Sequence, residues 1–187
     1  MTSLSAAAPP SALGVRRRAV FSAVPAVPLV AACFAVFGLS AEAFLAAFFV
    51  SVLAVLSVID LQERRLPNRI VLPSFAVVLA AHLVLSPERS AEWTIAALAA
   101  AAFFFVPAFV YPAAMGMGDV KLALLLGAML GKGAATAIVV AAVGASVVGV
   151  VLILVYGRSA RKRAIAFGPY LALGGVVALF TGDLLAL

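Results

Sequence analysis

The stretch Gly116-Met117-Gly118-Asp119-Val120-Lys121-Leu122-Ala123-Leu124-Leu125-Leu126-Gly127-Ala128-Met129-Leu130-Gly131-Lys132-Gly133 decides how this chain is built. It sets a carboxylate, Asp119, at the mouth of an apolar run that meets Gly131-Lys132-Gly133 after about a dozen residues. At 1.5 Å per residue such a helix is roughly 18 Å long, too short for a hydrocarbon core of ~30 Å. A helix of that length has to begin inside the protein, and the glycine-rich backbone before it has to dip below the membrane surface. Irregular backbone is tolerated at that depth only where protein buries it or where it lines a wet cavity. Asp119 is therefore expected in a cavity, and a carboxylate so placed is a functional candidate.

The rest of the chain has the same character. It has 187 residues, 66% of them hydrophobic and 11% charged, with a mean hydropathy of +1.26. Such a composition excludes a soluble globular domain. Apolar runs near or above 18 residues recur along the chain. They predict an all-α polytopic membrane protein of about seven transmembrane helices, a six-helix core over 41–187 preceded by one further helix. Cys33 is the only cysteine, which excludes an intramolecular disulfide and a multi-cysteine metal site; no metal or cofactor is expected. The formal charge of +6 sits in short loops between apolar spans. There topology explains it better than nucleic acid does, so the expected partner is the lipid bilayer.

Working back from Asp119, a fourth span covers about 91–112, with Trp93 and Tyr111 near its ends and Pro107 expected to kink it. The third covers 69–85, with Pro73 in its first turns. Before it lies the polar loop Gln62-Glu63-Arg64-Arg65, closed by Leu66-Pro67-Asn68; proline disfavours a helical Leu66, so the chain turns here. The second span runs over 41–59 and ends at Asp60. Residues 1–18 form a basic tail expected to be disordered, and 19–40 read as an uncleaved first helix interrupted by Pro25 and Pro28, or as a signal peptide. Working forward, the sixth span covers 134–155. Arg158, Arg161, Lys162 and Arg163 follow, and the last span runs from Ala164 and contains Phe167-Gly168-Pro169-Tyr170 near its start.

With the amino terminus in the cytoplasm and seven alternating spans, Arg16, Arg17, Arg18, Arg64, Arg65, Arg69, Lys121, Arg158, Arg161, Lys162 and Arg163 are internal. Only Arg89 and Lys132 of the 13 basic residues are external. That is a strong positive-inside pattern, and it puts Asp60 and Asp119 at the cytoplasmic ends of their helices.

Two carboxylates at one membrane depth, from different helices, suit aspartyl protease chemistry. Like charges a few ångströms apart resist double ionisation, so such a pair shares a proton. One member can take a proton from water while the other polarises a scissile carbonyl and then supplies the leaving amine. The same pair could serve a small transporter or proton- or cation-coupled channel as an ion site. His82, the only histidine, reads as a packing residue with a satisfied ring, mid-span towards the outer side.

Three elements resemble those of the type IV prepilin peptidases. Asp60-Leu61-Gln62-Glu63-Arg64-Arg65-Leu66-Pro67-Asn68 is similar to that family's aspartate, basic loop and Ile-Pro-Asn element, with Leu66 where isoleucine is common. Gly116-Met117-Gly118-Asp119-Val120-Lys121 matches Gly-x-Gly-Asp-x-Lys in full. Phe167-Gly168-Pro169-Tyr170-Leu171-Ala172-Leu173-Gly174 is similar to the segment opening the family's last helix. The resemblance covers the chain from about Ala41 onward. It implies a membrane aspartyl endopeptidase in the bacterial inner membrane, with Asp60 and Asp119 as its catalytic pair. Such an enzyme cuts the basic leader from prepilin-like precursors at the cytoplasmic face. Bifunctional members add a cytoplasmic domain with paired cysteines and also methylate the new amino terminus. This chain looks like the short, peptidase-only type of tight-adherence (Flp) pili, so no methyltransferase activity is expected.

Around the pair, Gly116 and Gly118 are expected to give the backbone freedom that brings Asp119 towards Asp60. Gly168 and Pro169 shape the cavity wall or simply start a helix. Pro67 and Asn68 belong to the turn beside Asp60. Lys121 is either a substrate- or aspartate-tuning group or a membrane anchor. Arg64 and Arg65 read as topology determinants, since a basic leader would be repelled by them. Oligomeric state is open.

Overall fold

The structure, a computed structural model, describes residues 26–111, 115–156 and 166–182. Among them are seven α-helices and one short 3-10 turn: α1 Ala26–Phe37, α2 Ala41–Glu63, α3 Asn68–Leu85, the turn Pro87–Arg89, α4 Ser90–Val110, α5 Met117–Leu130, α6 Gly133–Tyr156 and α7 Gly168–Gly182. The chain is an all-α polytopic membrane protein. Four helices, α2, α3, α6 and the Pro87–Val110 segment containing α4, are long and apolar enough to cross a membrane, while α1 and α7 are shorter apolar helices. The tail over 1–25 and the basic stretch 158–163 lie outside the described residues.

Local signals explain the helix ends. Gly38 takes φ 66° after α1. Ser40 then donates from Oγ to the Phe37 carbonyl (3.0 Å) and accepts from the Ala43 N–H (3.1 Å). One serine thus closes α1 and caps α2. α2 does not stop at Asp60 as the sequence suggested but runs on to Glu63. It closes at Arg64, which adopts a left-handed conformation (φ 51°) while its N–H donates to the Asp60 carbonyl at 2.8 Å. A non-glycine residue there is strained by roughly 1–2 kcal/mol. Pro67 starts α3, its carbonyl accepting from Ile70 and Val71, as an N-terminal proline can without losing a helical donor.

α5 is the short helix expected, at 14 residues and so about 21 Å. It starts at Met117, two residues before Asp119, and ends at Gly131, whose φ of 54° and ψ of −125° only glycine adopts readily. α7 starts at Gly168, four residues later than expected, with Ala166 and Phe167 described as non-helical.

α5 packs against α3, α4, α6 and α7, and α2 packs against α3 and α7. The interior is built from Phe49, Leu53 and Leu56 of α2, Val71 and Val78 of α3, Leu122, Leu125 and Leu126 of α5, and Leu171 of α7. Close approaches are made at small residues. The Gly127 backbone lies against Ala96 and Ala97 of α4, and Gly175 of α7 lies between Leu126 of α5 and Leu53 of α2. α7 therefore wedges between the two helices that carry the aspartates. The outer faces of α4 and α6 expose Ile95, Phe103, Phe109, Val139, Val147 and Leu154, a surface that lipid tails cover without penalty.

α1 also packs on this body. Cys33 is fully buried, Phe34 meets Phe44 edge-on at 5.1 Å, and Phe37 lies 6.4 Å from Phe180. His82 departs from expectation. It sits in the last turn of α3, not mid-span, stacked on Trp93 at 3.8 Å, and its Nε2 is buried without a hydrogen-bond partner.

Candidate active site

One end of the bundle gathers the last turn of α2 and the first turns of α3, α5 and α7. Asp60 is 6% exposed, in the last turn of α2 ahead of Gln62 and Glu63. Its Oδ2 accepts the Gly168 N–H at 3.0 Å, across 108 residues of sequence. This N–H is one of the donors that the first turn of a helix leaves free, and its role here is to anchor the carboxylate. The carboxylate lies flat on the Gly168 backbone: a Cβ placed at Gly168 would be 2.6 Å from Asp60 Oδ2 and 3.0 Å from Cγ. Pro169 follows within the first turn of α7, where the missing N–H of proline leaves nothing unsatisfied.

Asp119 is in the first turn of α5, half-buried, and its N–H donates to the Gly116 carbonyl at 3.1 Å. It is near enough to Asp60 for the two carboxylates to interact electrostatically. α2 and α5 are joined chiefly through the helices packed on both, α3 and α7.

The turn between α2 and α3 closes over α5. Leu66 presses on Gly118, where a Cβ would stand 2.9 Å from Leu66 Cβ and 3.3 Å from its Cδ1. Asn68 Oδ1 accepts from Lys121 Nζ at 2.7 Å, so Lys121 is more than a membrane anchor: it ties the start of α5 to the start of α3. Phe167, just ahead of α7, packs against Phe104 of α4 with ring centroids 5.8 Å apart.

The structure thus brings together Asp60, Asp119, Gly118, Asn68, Lys121 and Gly168, with Pro67 and Pro169 beside them. Gly116 is exposed, and an added Cβ would find nothing nearer than 3.8 Å. Arg64 and Arg65 point to the surface. One expectation changes in kind. Gly116 has φ −81°, and Gly118 lies inside a regular helix with no left-handed φ. Gly118 is required here by the approach of Leu66, not by unusual dihedrals. Leu66 and Phe167 carry the site's packing and were not singled out as site residues; the available signal was an apolar side chain inside an otherwise polar loop. Two carboxylates on separate helices, one fixed by a backbone donor, can hold a water between them and pass protons to and from it.

Comparisons with known proteins give the chain a family. A family model described as the type IV leader peptidase family matches residues 47–157. A prepilin leader peptidase/N-methyltransferase of Bacillus subtilis (strain 168) is 36% identical over 168 residues, covering 85% of this chain and 66% of that protein. One from Burkholderia pseudomallei (strain 1026b) is 34% identical over 160 residues, 82% of this chain and 52% of its own length. A third, from Legionella pneumophila, is 29% identical over 153 residues, 79% and 53% respectively. The chain therefore spans between 52% and 66% of the length of these relatives. No solved structure matches the chain. With the model covering more than half of the sequence and the aspartates of α2 and α5 at one end of the bundle, the chain belongs to the type IV leader peptidase family.

Proposed function

We propose that this protein is an aspartyl endopeptidase that removes the basic leader from prepilin-like precursors, with 41–187 as the peptidase unit and the α1 region added to it. The observation that carries the reading is the placing of Asp60 and Asp119, from separate helices, at one end of the bundle, with Asp60 held on the Gly168 N–H. The reaction needs one proton shared by the pair. The ionised carboxylate takes a proton from water as the water oxygen attacks the scissile carbonyl carbon, and the protonated carboxyl gives its proton to the carbonyl oxygen. The tetrahedral intermediate, now a gem-diol, collapses as the carboxyl formed in the first step protonates the departing nitrogen and the other carboxylate takes a proton back from one of the gem-diol hydroxyls. The C–N bond breaks, and the pair is left sharing one proton again. Resemblance to the short, tight-adherence type makes Flp-like prepilins the substrates to try. Co-expression with such a prepilin should convert it to a shorter band on a gel; a precursor that stays full length beside abundant inserted protein would overturn the reading.

The catalytic end is proposed to face the cytoplasm. The 11-to-2 division of basic residues supports this, as does the pairing of the two external ones, Arg89 and Lys132, with a single carboxylate, Glu92, at 3.7 Å each. Reporter fusions after Arg163 should read cytoplasmic and those after Arg89 external. The reverse pattern would put the aspartates on the wrong side for a cytoplasmic leader.

The contact of Leu66 with Gly118 supports a close-packed Asp119 turn whose fit, in place of loop mobility, sets turnover. Gly118→Ala forces Leu66 aside, and overpacking of this kind costs about 1–3 kcal/mol, or roughly 5- to 150-fold if expressed in the transition state. With saturating prepilin in liposomes, the maximal rate of Gly118→Ala should fall by about tenfold or more, while Gly116→Ala stays close to wild type. A Gly118→Ala enzyme with the wild-type maximal rate and a raised KM would make the turn a docking surface instead.

A further inference from the structure

The end of the bundle away from the aspartates holds a second built feature. α4 and α6 splay apart around α5 and leave a groove of about 770 Å³ on the membrane-facing side. Ile95, Ala99 and Phe103 line it from α4, and Ala135, Ile138 and Val139 from α6. Nothing polar reaches into it along this length. At its head stand Glu92 and Lys132, which also line a neighbouring hollow of about 640 Å³ together with Arg89, Trp93 and Thr136. An apolar channel thus opens at the helix ends into a polar, partly cationic hollow.

The charges there have spare capacity. Arg89 Nε and Lys132 Nζ each stand 3.7 Å from a Glu92 oxygen, beyond hydrogen-bond reach. The three side chains sum to one positive charge, and the cationic ones are 57% and 88% exposed. Arg89 is held over the Trp93 ring at 5.3 Å, and Trp93 is held in turn by its stack on His82. The guanidinium therefore has a fixed platform and free donors, the condition under which arginine takes a phosphate well.

From this arrangement we infer a binding site for an anionic glycerophospholipid of the leaflet opposite the aspartates, its phosphate on Arg89 and Lys132 and one acyl chain in the α4–α6 groove. Charge and shape both select it. The groove faces lipid, its head is at headgroup level, and the cations there favour an anionic headgroup over a zwitterionic one. The site is independent of what the aspartates do. Because Gly131, the end of α5, packs on Trp93 and Glu92, a lipid seated here also braces the far end of the helix that carries Asp119.

The test uses the full-length protein, delipidated in detergent and given phosphatidylglycerol or phosphatidylcholine of identical chains. Phosphatidylglycerol should raise Tm well beyond phosphatidylcholine and survive as a one-to-one adduct in native mass spectrometry. Arg89→Gln with Lys132→Gln should erase the difference between the two lipids. Ala135→Trp or, on the other wall, Ala99→Trp fills the groove from an exposed position and should lose the adduct. Equal shifts from both lipids, an undiminished preference in the double glutamine variant, or the same shift from free glycerol phosphate would each overturn the assignment.

Discussion

Asn in place of either Asp60 or Asp119 should leave a protein that inserts normally and cleaves nothing. The amide keeps the size of the carboxyl group but can neither accept a proton from water nor hand one to the leaving nitrogen. General acid–base catalysis contributes roughly 10²–10⁴-fold in rate, and both halves of the exchange pass through this pair, so precursor should accumulate at full length in each variant. Asp60→Asn has a second consequence. The Gly168 N–H donates to Oδ2 at 3.0 Å, and an asparagine can keep that bond through its carbonyl oxygen, so the loss is chemical and the fold survives. Membrane fractions should hold wild-type amounts of both variants. Wild-type cleavage by either one would end the two-aspartate mechanism.

Gly168→Ala is the next largest effect expected, and it comes from one methyl group. The new Cβ would stand 2.6 Å from Asp60 Oδ2, 3.0 Å from Cγ and 3.2 Å from Cβ. The clash reaches back from the terminal Oδ2 to Cγ and Cβ, so either the carboxylate rotates off its donor or α7 moves away. A misplacement of about 1 Å costs on the order of 10²-fold, and the loss should fall on kcat with KM little changed, because the methyl displaces a reacting group and not a distant binding surface. Gly149→Ala in α6, where a Cβ meets nothing within 4 Å, is the matched control and should cleave at the normal rate. Gly168→Ala cleaving as fast as that control would show that the anchoring of Asp60 by α7 is dispensable.

Much of this architecture was legible in the sequence. Runs of apolar residues located the helices to within a few positions. The shortness of the run after Asp119 announced α5 as a helix too short for a ~30 Å hydrocarbon core, and its 14 residues agree. The carboxylates were conspicuous because charges are rare here. What escaped was contact between residues distant along the chain. The Gly168–Asp60 bond, the wedge of Gly175 between Leu53 and Leu126, and the pressure of Leu66 on Gly118 have no local periodicity to reveal them. Gly118 is instructive, since sequence reasoning explained it by dihedral freedom and the structure explains it by a neighbour. His82, expected towards the outer side with a satisfied ring, was read incompletely for a related reason: its stacking partner Trp93 lies on the next helix, beyond a turn whose geometry the apolar pattern does not encode.

The wedge formed by α7 has a bearing on how the cell makes this protein. Ribosomes deliver the chain amino end first, so α2 and α5, with their aspartates, enter the bilayer before Gly168 has been synthesised. Until α7 arrives, Asp60 lacks its anchoring donor, and Leu53 and Leu126 lack the spacer that sets the distance between their helices. For the peptidase proposed above, the anchored form of Asp60 exists only once α7 is in place, so a late helix can do during insertion what an inhibitory pro-segment does for soluble proteases.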